Sequence, residues 1–418
     1  MKNLLLKSIV TSFIIVVSSC SKDDPKPDPV VVVPPVEVTD ALTTQNVKTY
    51  MVDKNATAET VALFYNLKKL AKTKFAVGQQ DAFLSFYKDA GGDSDIKKTT
   101  GNDPAIVGSD LSFVTDIRND GTDSNWFYQE EVKNATQIKN AYAKGIINTV
   151  SWHLRGPKNK NYPATDNEEY TFYASSMFDA DKSTFFRSIL PGGTEHDWFK
   201  GKLDQVADFS SKLKGSKGEL IPFIFRPFHE FDGSWFWWGA DFCSPEEYKT
   251  AYQFIVTYLR DTKGVHNILY AFSPDNSYST STNYLSHYPG DTYVDVLGMD
   301  NYGDFNNLGQ TGADKANAKL KMISDLAITK VKIAAMTETG YRVTATVSPV
   351  TNWFSTYLYS ALTANNIQIS YIMFWNNNLD GYWVPTPTAS NAADFKTFAT
   401  KSKSALVNTL PSMYVLPN

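Results

Sequence analysis

Two glutamates stand out among the residues that can do chemistry, because each follows a short apolar run. Glu230 lies in Ile224-Phe-Arg-Pro-Phe-His-Glu-Phe-Asp-Gly-Ser-Trp-Phe-Trp-Trp-Gly239, and Glu338 lies in Met336-Thr-Glu-Thr-Gly340. Two carboxyl groups about 5–5.5 Å apart can cleave an acetal, one as proton donor and the other as nucleophile. The pair therefore predicts glycoside hydrolysis with retained configuration, provided that the fold brings the two residues together.

The neighbours of the two glutamates predict different protonation states. Glu230 is followed by Phe231 within an aromatic stretch, and an apolar setting disfavours the carboxylate anion and suits a proton donor. Glu338 stands between the hydroxyls of Thr337 and Thr339, which suits an ionised nucleophile. The alternative is that the rings belong to the core and the glutamates form ordinary salt bridges. That alternative explains one glutamate well and the pair poorly.

The elements that must position these residues are short apolar strands alternating with amphipathic helices. Such alternation is typical of a (β/α)8 barrel, an α/β fold in which eight parallel strands are closed by helices. An open doubly wound sheet is the second choice, but Phe75-Ala-Val-Gly-Gln-Gln80 is no dinucleotide-binding turn. The predicted strands are Phe75–Gly78, Ala105–Gly108, Ile146–Trp152, Leu220–Phe225, Ile268–Phe272, Val294–Met299, Val331–Thr337 and Ile367–Trp375. The predicted helices are Thr57–Thr73, Gln129–Ala143, Asp197–Leu213, Pro245–Asp261, Ala313–Ala327, Thr351–Ala364 and Ala392–Leu406.

Catalytic residues of such barrels lie at the carboxyl ends of the strands. Glu230 and Glu338 are 108 positions apart, or three βα units of 36, which assigns them to the fourth and seventh strands. Five predicted strands end in aromatic or ionisable residues, at His153, Glu230, Tyr302, Glu338 and Trp375, the last followed by Asn376. The long insertion Arg155–Gly193 follows the third strand, so we expect it on the catalytic face, where it can wall one end of a cleft.

Composition and charge restrict the class of protein. The chain has 418 residues with a net charge of −4, and its acidic and basic residues are interspersed, which argues against a nucleic-acid partner. We find no second linker or repeat beyond residue 40, so residues 41–418 are expected to form one catalytic domain.

The N-terminus predicts export and lipid anchoring. Residues 1–20 have a basic start, a short apolar run and Val17-Ser-Ser-Cys20, which resembles a bacterial lipobox with Cys20 as the lipidated residue. A plain signal peptide or a membrane helix is the alternative, although the apolar run is short for a span. Residues 21–40 read as a Pro-rich tether, and Ser21-Lys-Asp-Asp24 resembles the export signal of surface lipoproteins. We expect an outer-membrane protein, displayed on the cell surface or facing the periplasm.

The sequence predicts no metal and no cofactor. His153, His229 and Glu230 are the candidates for a zinc site, but the chain has no His-x-x-x-His spacing. Cys243 has no disulfide partner if Cys20 carries lipid, and no base adjoins it, so we expect it to be structural.

The segment from Arg226 to Gly239 resembles the acid/base signature of the family 26 glycoside hydrolases, the β-mannanases, which have His directly before the catalytic Glu. Thr337-Glu-Thr-Gly340 resembles the nucleophile strand of that family, and Val294-Asp-Val-Leu-Gly-Met-Asp-Asn-Tyr302 resembles its sixth strand. The resemblance extends from about residue 75 onward. It implies that Glu230 is the acid/base and Glu338 the nucleophile, which Tyr302 hydrogen-bonds.

The resemblance also implies a set of substrate-binding residues. It assigns His229 to the cleavage site, Trp235 to a platform on the leaving-group side, and His153 and Trp375 to the opposite, glycone side. Further candidates for the cleft are Trp152, Trp238, Asp300 and Asn376. Asn376 stands where some relatives carry Arg, and its shorter side chain favours internal attack over trimming from chain ends. The roles of Trp237 and Trp238 stay open between platform and packing.

The predicted function is therefore that of a monomeric endo-β-1,4-mannanase acting on mannan, galactomannan or glucomannan. An exo-acting mannobiohydrolase or another β-glycanase of the same family is the nearest alternative. A non-catalytic surface lipoprotein that binds glycans is the alternative from another class, and the presence of both carboxylates argues against it.

Overall fold

Eight parallel strands form the wall of a barrel in the computed structural model, which describes residues 41–158, 160–161 and 170–417. The strands are β1 (Phe75–Gln80), β2 (Ile106–Asp110), β3 (Ile147–Ser151), β4 (Phe223–Arg226), β5 (Ile268–Phe272), β6 (Val296–Leu297 and Asp300–Asn301), β7 (Ile333–Ala334 and Met336–Thr339) and β8 (Tyr371–Phe374). Each strand pairs with the next in parallel, and β8 returns to pair with β1. The predicted barrel is confirmed, and the open sheet is excluded.

Helices surround this barrel. They are α1 (Val47–Tyr50), α2 (Ala58–Leu70), α3 (Asp95–Thr100), α4 (Trp126–Ala143), α5 (Asp179–Lys182), α6 (Phe185–Ser188), α7 (His196–Lys212), α8 (Pro245–Thr257), α9 (Ser281–Tyr284), α10 (Gly309–Thr329), α11 (Tyr359–Thr363) and α12 (Ala392–Ala399). Local sequence sets several of their starts: Ser244 and Glu247 form a reciprocal capping box before α8, with Pro245 at the first helical position. No helix among the described residues is long and apolar enough to cross a membrane.

Some predicted element boundaries were wrong for identifiable reasons. β4 begins at Phe223 instead of Leu220, since Pro222 has no N–H for the ladder. α4 begins at Trp126, three residues early, because the side chain of Asn125 accepts the N–H of Tyr128 at 3.0 Å. α12 ends at Ala399 because Ser404–Ala405 forms a short parallel strand on β1.

The strands are buried on both faces, and the barrel interior is tightly filled. Gly78 on β1 shows how tightly: a Cβ there would lie 2.0 Å from the carbonyl oxygen of Ile106 on β2. A larger residue at this position would separate the two strands.

The described part of the long insertion lies along the Trp-rich loop that follows β4. Ala174 N–H donates to the carbonyl of Trp235 at 2.8 Å, and Trp237 N–H donates to the carbonyl of Phe172 at 3.1 Å. The insertion is therefore on the catalytic face, as expected. The predicted signal peptide and tether, with Cys20, lie outside the described residues, and so do residues 159 and 162–169 of the insertion.

Candidate active site

Glu230 lies in a tight turn just after β4, and the backbone of this turn is unusual. Phe228 and Glu230 have φ values of 50° and 52°, in the left-handed region that is costly for side chains with a Cβ. The Glu230 N–H is held by the carbonyl of Ser273 at 2.8 Å. One oxygen of its carboxyl group accepts a hydrogen bond from Trp235 Nε1 at 2.6 Å. The turn thus fixes the carboxyl group at the mouth of the barrel.

Glu338 lies on β7, directly opposite Asp300 on β6 in the strand register. Its Oε1 accepts a hydrogen bond from the Arg226 guanidinium, and its Oε2 accepts one from the Tyr302 hydroxyl at 2.9 Å. The predicted bond from Tyr302 is therefore present in the structure. Thr337 and Thr339, expected beside Glu338, instead donate to Asp300 Oδ1 and to the Asn301 carbonyl.

Arg226, at the end of β4, joins the two acidic side chains. It is fully buried, and its Nη1 donates to both oxygens of Asp300 at 2.9 Å and to Ser273 Oγ at 3.0 Å. Asp300 had been expected to line the cleft, but it is fully buried and holds Arg226 instead. Arg226 was not among the site residues predicted from the sequence, although it begins the segment that contains Glu230. The available signal was a single Arg at the end of an apolar strand.

The two glutamates differ in their electrostatic settings. Burial, with the nearby charges of Asp300 and Glu338, raises the pKa of Glu230 well above its usual range, which favours the protonated form of this group. Burial and Asp300 also raise the pKa of Glu338, to about 7, against the opposing effect of Arg226. Because Glu338 has a guanidinium and a phenol as donors, it is the more acidic member of the pair.

Two histidines meet beside this cluster. His153 Nδ1 lies 2.6 Å from Asp110 Oδ2, and its ring lies edge-on to that of His229 with 4.6 Å between the centroids. Burial opposes the charged form of His153, but Asp110 and Glu338 outweigh it and raise its pKa. Burial, His153 and Arg226 lower the pKa of His229 well below its usual value, so that this imidazole is neutral. The charged form is therefore more favoured for His153 than for His229.

The aromatic residues predicted for the cleft fall into two groups. Trp235 is 40% exposed, and Trp375 is half-buried with its ring 5.9 Å from that of His153. Trp152 and Trp238 were wrong as cleft residues, because both are fully buried.

Hydrogen bonds explain why the buried tryptophans are packing residues. Trp152 Nε1 donates to Thr115 Oγ1 at 2.9 Å, and Trp238 Nε1 donates to the His229 carbonyl at 2.7 Å. Trp237 is equally buried and donates to the Leu154 carbonyl at 2.8 Å. The indoles of Trp237 and Trp238 also pack against Phe228, so these two residues brace the turn that carries Glu230.

Trp383 belongs to the site region although it was not predicted from the sequence. It is half-buried, and its ring lies 5.1 Å from that of Tyr302. Gly340, with φ of 148°, makes room for it, since a Cβ there would lie 2.6 Å from the indole.

Asn376 Nδ2 donates to Asp81 Oδ2 at 3.4 Å, and its proposed effect on internal attack stays a prediction.

One group of side chains has the composition of a metal site. Ligand atoms of His229, Asp300 and Glu338 lie within 4.8 Å of one another. The Arg226 guanidinium already contacts both carboxylates, however, and a divalent cation there would meet a buried positive charge. The residues present do not suit a metal ion, and the absence of a metal remains a sequence-based prediction.

The protein has a barrel of parallel strands with two carboxyl groups of unequal acidity at its mouth. This combination is typical of the barrel class of glycoside hydrolases. The model of glycosyl hydrolase family 26 matches residues 52–377. The chain belongs to this family, which confirms the resemblance seen in the sequence.

Three proteins illustrate the similarity. The chain is 37% identical over 374 residues to a mannan endo-1,4-beta-mannosidase of Bifidobacterium adolescentis, covering 85% of this chain and 35% of that protein. It is 50% identical to GH26C from a Muricauda species, with a TM-score of 0.87 and coverage of 90% and 99%. It is 32% identical to a GH26 beta-mannanase from Bacteroides ovatus, with a TM-score of 0.74 and coverage of 86% and 98%. The chain spans about a third to a half of the length of the curated relatives it matches.

Proposed function

We propose that the protein is a retaining endo-β-1,4-mannanase that cleaves internal linkages of mannan, galactomannan or glucomannan. The observation that carries the proposal is the unequal pair of carboxyl groups: Glu230 beside Trp235 has its pKa raised well above the usual range, and Glu338, which accepts from Arg226 and Tyr302, is the more acidic of the two. Such a pair is what a double displacement at an acetal carbon requires.

The proposed reaction has two steps. Glu338 attacks the anomeric carbon while Glu230 gives its proton to the departing glycosidic oxygen, and a covalent glycosyl-enzyme forms. Glu230, now an anion, removes a proton from water, and that water releases the sugar from Glu338. Arg226 and Tyr302 aim the Glu338 oxygens, and Trp235 both holds Glu230 and offers an exposed ring to the leaving sugar.

The substrate class comes from the relatives. Several carry the name mannan endo-1,4-beta-mannosidase, and the solved neighbours include endo-beta-1,4-mannanases. Aromatic faces such as that of Trp235 suit the apolar faces of pyranose rings. Asn376 supports internal attack, because it cannot make the paired hydrogen bonds of an arginine to a chain end. We propose no cofactor.

The deciding experiment is an early product profile on galactomannan, with xylan and mixed-linkage glucan as comparison substrates. We expect a range of manno-oligosaccharides from galactomannan at low conversion and none from the other two polymers. Mannobiose as the sole early product would establish exo action. Binding to mannan without product release, by a preparation with its native fold, would favour the glycan-binding alternative.

We also propose that the mature protein is anchored to the outer membrane through lipid on Cys20, as a monomer displayed on the cell surface. The support is the lipobox-like Val17-Ser-Ser-Cys20 and the tether that follows it. Metabolic labelling with a fatty acid should mark the wild type and not Cys20→Ala. Protease treatment of intact cells would then distinguish surface display from the periplasmic face.

A further inference from the structure

The side chain of Lys319, in the middle of α10, is only 16% exposed, although α10 is an outer helix of the barrel. Its Nζ donates to the Asn276 carbonyl at 2.6 Å and to Asp304 Oδ2 at 2.8 Å. Asn276 belongs to the loop after β5, and Asp304 belongs to the loop after β6. Both loops leave the carboxyl ends of their strands. One ammonium group therefore connects two neighbouring loops of the catalytic face.

The loop after β6 carries Tyr302, whose hydroxyl donates to the proposed nucleophile Glu338 at 2.9 Å. Asp304 fixes the turn that contains Tyr302: its N–H donates to Asn301 Oδ1 at 3.1 Å, and its Oδ2 accepts from Asn301 Nδ2 at 2.9 Å. Asn301 is fully buried at the end of β6. Tyr302 thus stands between two residues that are joined by reciprocal hydrogen bonds, and Lys319 holds the outer one of these two.

The same helix shows how an ordinary surface lysine behaves. Lys321, two positions further along α10, is 41% exposed and pairs with Asp325 one turn away on its own helix. Such a pair within one helix holds no loop. Lys319 instead reaches partners that are 15 and 43 positions away in sequence. Its contacts offset the unfavourable ordering and dehydration of a lysine side chain by fixing two loops of the site.

We propose that Lys319 is a positioning residue for the proposed reaction, because it holds the loop after β6 so that the Tyr302 hydroxyl stays on Glu338. The inference rests on the proposed function and deepens it, since it extends the machinery of that reaction to a helix outside the barrel. Lys319 acts through Asp304 and Tyr302 and needs no contact with the substrate. A hydrogen bond from Tyr302 favours the anion of Glu338, so displacement of Tyr302 disfavours the form that attacks the sugar.

The test is the pH dependence of kcat/KM on an aryl β-mannobioside. Lys319→Met keeps the approximate length of the side chain and removes its charge. We expect kcat/KM to fall about three- to tenfold, the effect of weakening one hydrogen bond, and the acidic limb to move upward by about half a unit. Lys321→Met is the matched control on the same helix, and it should keep both the activity and the profile of the wild type.

The charged groups that face Glu338 stay in place in the Lys319→Met variant. They are Arg226 at the end of β4, Glu230 after β4, His153 after β3 and Asp300 on β6. A shift of the acidic limb therefore reports on Tyr302 and not on a lost neighbouring charge. Burial raises the pKa of Asp275 to about 7 against the charge of Lys319, and Asp275 acts on Glu230, so only the acidic limb is compared.

A double-mutant cycle shows whether Lys319 acts through Tyr302. Tyr302→Phe alone removes the hydrogen bond to Glu338, and Lys319→Met added to it should lower kcat/KM by less than about twofold further. Asp304→Asn is a second variant, which keeps the size of the side chain and removes the charge that Lys319 binds. It should move the acidic limb in the same direction. The Tm of each variant verifies its fold.

Equal falls in kcat/KM for Lys319→Met in the wild-type and Tyr302→Phe backgrounds would overturn the inference, since the lysine would then support the fold in general. So would a Lys319→Met variant as active as Lys321→Met, or failure of both Lys319→Met and Asp304→Asn to fold. A wild-type protein with no activity on any mannoside would instead refute the proposed function, and the inference would fall with it.

Discussion

Replacing Arg226 by Met tests the electrostatic basis of the proposed site. Arg226 is fully buried and binds Asp300 and Glu338, so the substitution leaves two carboxyl groups close together with no cation between them. Removing one partner of a buried ion pair costs about 3–5 kcal/mol. Thr337 still donates to Asp300 and Tyr302 still donates to Glu338, so we expect a loss of about 3 kcal/mol in the free energy of unfolding.

The effect on activity follows from the pKa of Glu338, which is about 7 with Arg226 in place. Loss of an adjacent opposite charge raises such a pKa by about 1–3 units. A rise of about two units lowers the anionic fraction at pH 7 from about one half to about one hundredth, and kcat/KM falls about fifty-fold. Because activity requires the anion, the acidic limb of the pH–rate profile moves about two units upward.

The assay is kcat/KM on an aryl β-mannobioside between pH 4 and pH 10, together with urea unfolding. Arg187→Met is the control, because its side chain is 70% exposed and pairs with Glu247 on the surface. We expect the control to keep both the profile and the stability of the wild type. A loss of activity in Arg226→Met that is the same at every pH would refute the reasoning, since it would show that charge on Glu338 is not what Arg226 controls.

Three further predictions concern the same site and its support. Glu230→Ala should lose about 10²–10⁴-fold on mannan and far less on an activated aryl mannoside, and equal losses measured on both would argue against an acid role. Gly340→Ala should lower stability by about 1–3 kcal/mol in urea unfolding, because its φ is 148° and its Cβ would meet Trp383; wild-type stability would show that the loop adjusts freely. Burial, helped by the charge of Asp110, raises the pKa of Asp81 to about 7, and burial also raises the pKa of Asp275 to about 7. Between about pH 4 and pH 7 the folded state therefore holds protons that the unfolded state has released. Stability should therefore fall as pH rises through this window, and Asp275→Asn should make the fall shallower; a rise would contradict the assigned direction.

Much of the architecture could be predicted because the pattern is local. Apolar runs such as Ile268–Phe272 are buried on both faces and alternate with helices, and in a parallel barrel this alternation brings all carboxyl strand ends to one face. Glu338 and Tyr302 were expected on that face on this basis, and the hydrogen bond that the family resemblance implied between them is present at 2.9 Å. Boundaries such as the start of β4 were less predictable. The apolar run begins at Leu220, before Phe223, the first residue that joins the hydrogen-bond ladder.

The tryptophans show where local pattern stops being informative. Trp235, Trp237 and Trp238 stand within four positions, yet the first is 40% exposed and the other two are fully buried. The difference arises from the left-handed turn at Phe228 and from the insertion, whose Phe172 carbonyl accepts the Trp237 N–H. Neither the turn nor this hydrogen bond can be predicted from the tryptophans themselves.

The sequence by itself determined the family, the barrel, and the assignment of Glu230 and Glu338 to strands four and seven, since these follow from motifs and from a spacing of 108 residues. The sequence predicted Glu230 as the protonated member from its aromatic neighbours, but only the tertiary structure decided which groups make that choice. That choice depends on Arg226, which reaches Glu338 across 112 positions of sequence, and on Asp300 in the neighbouring strand. A pKa is set by burial and by the charges within a few ångströms, and the fold alone determines which charges those are.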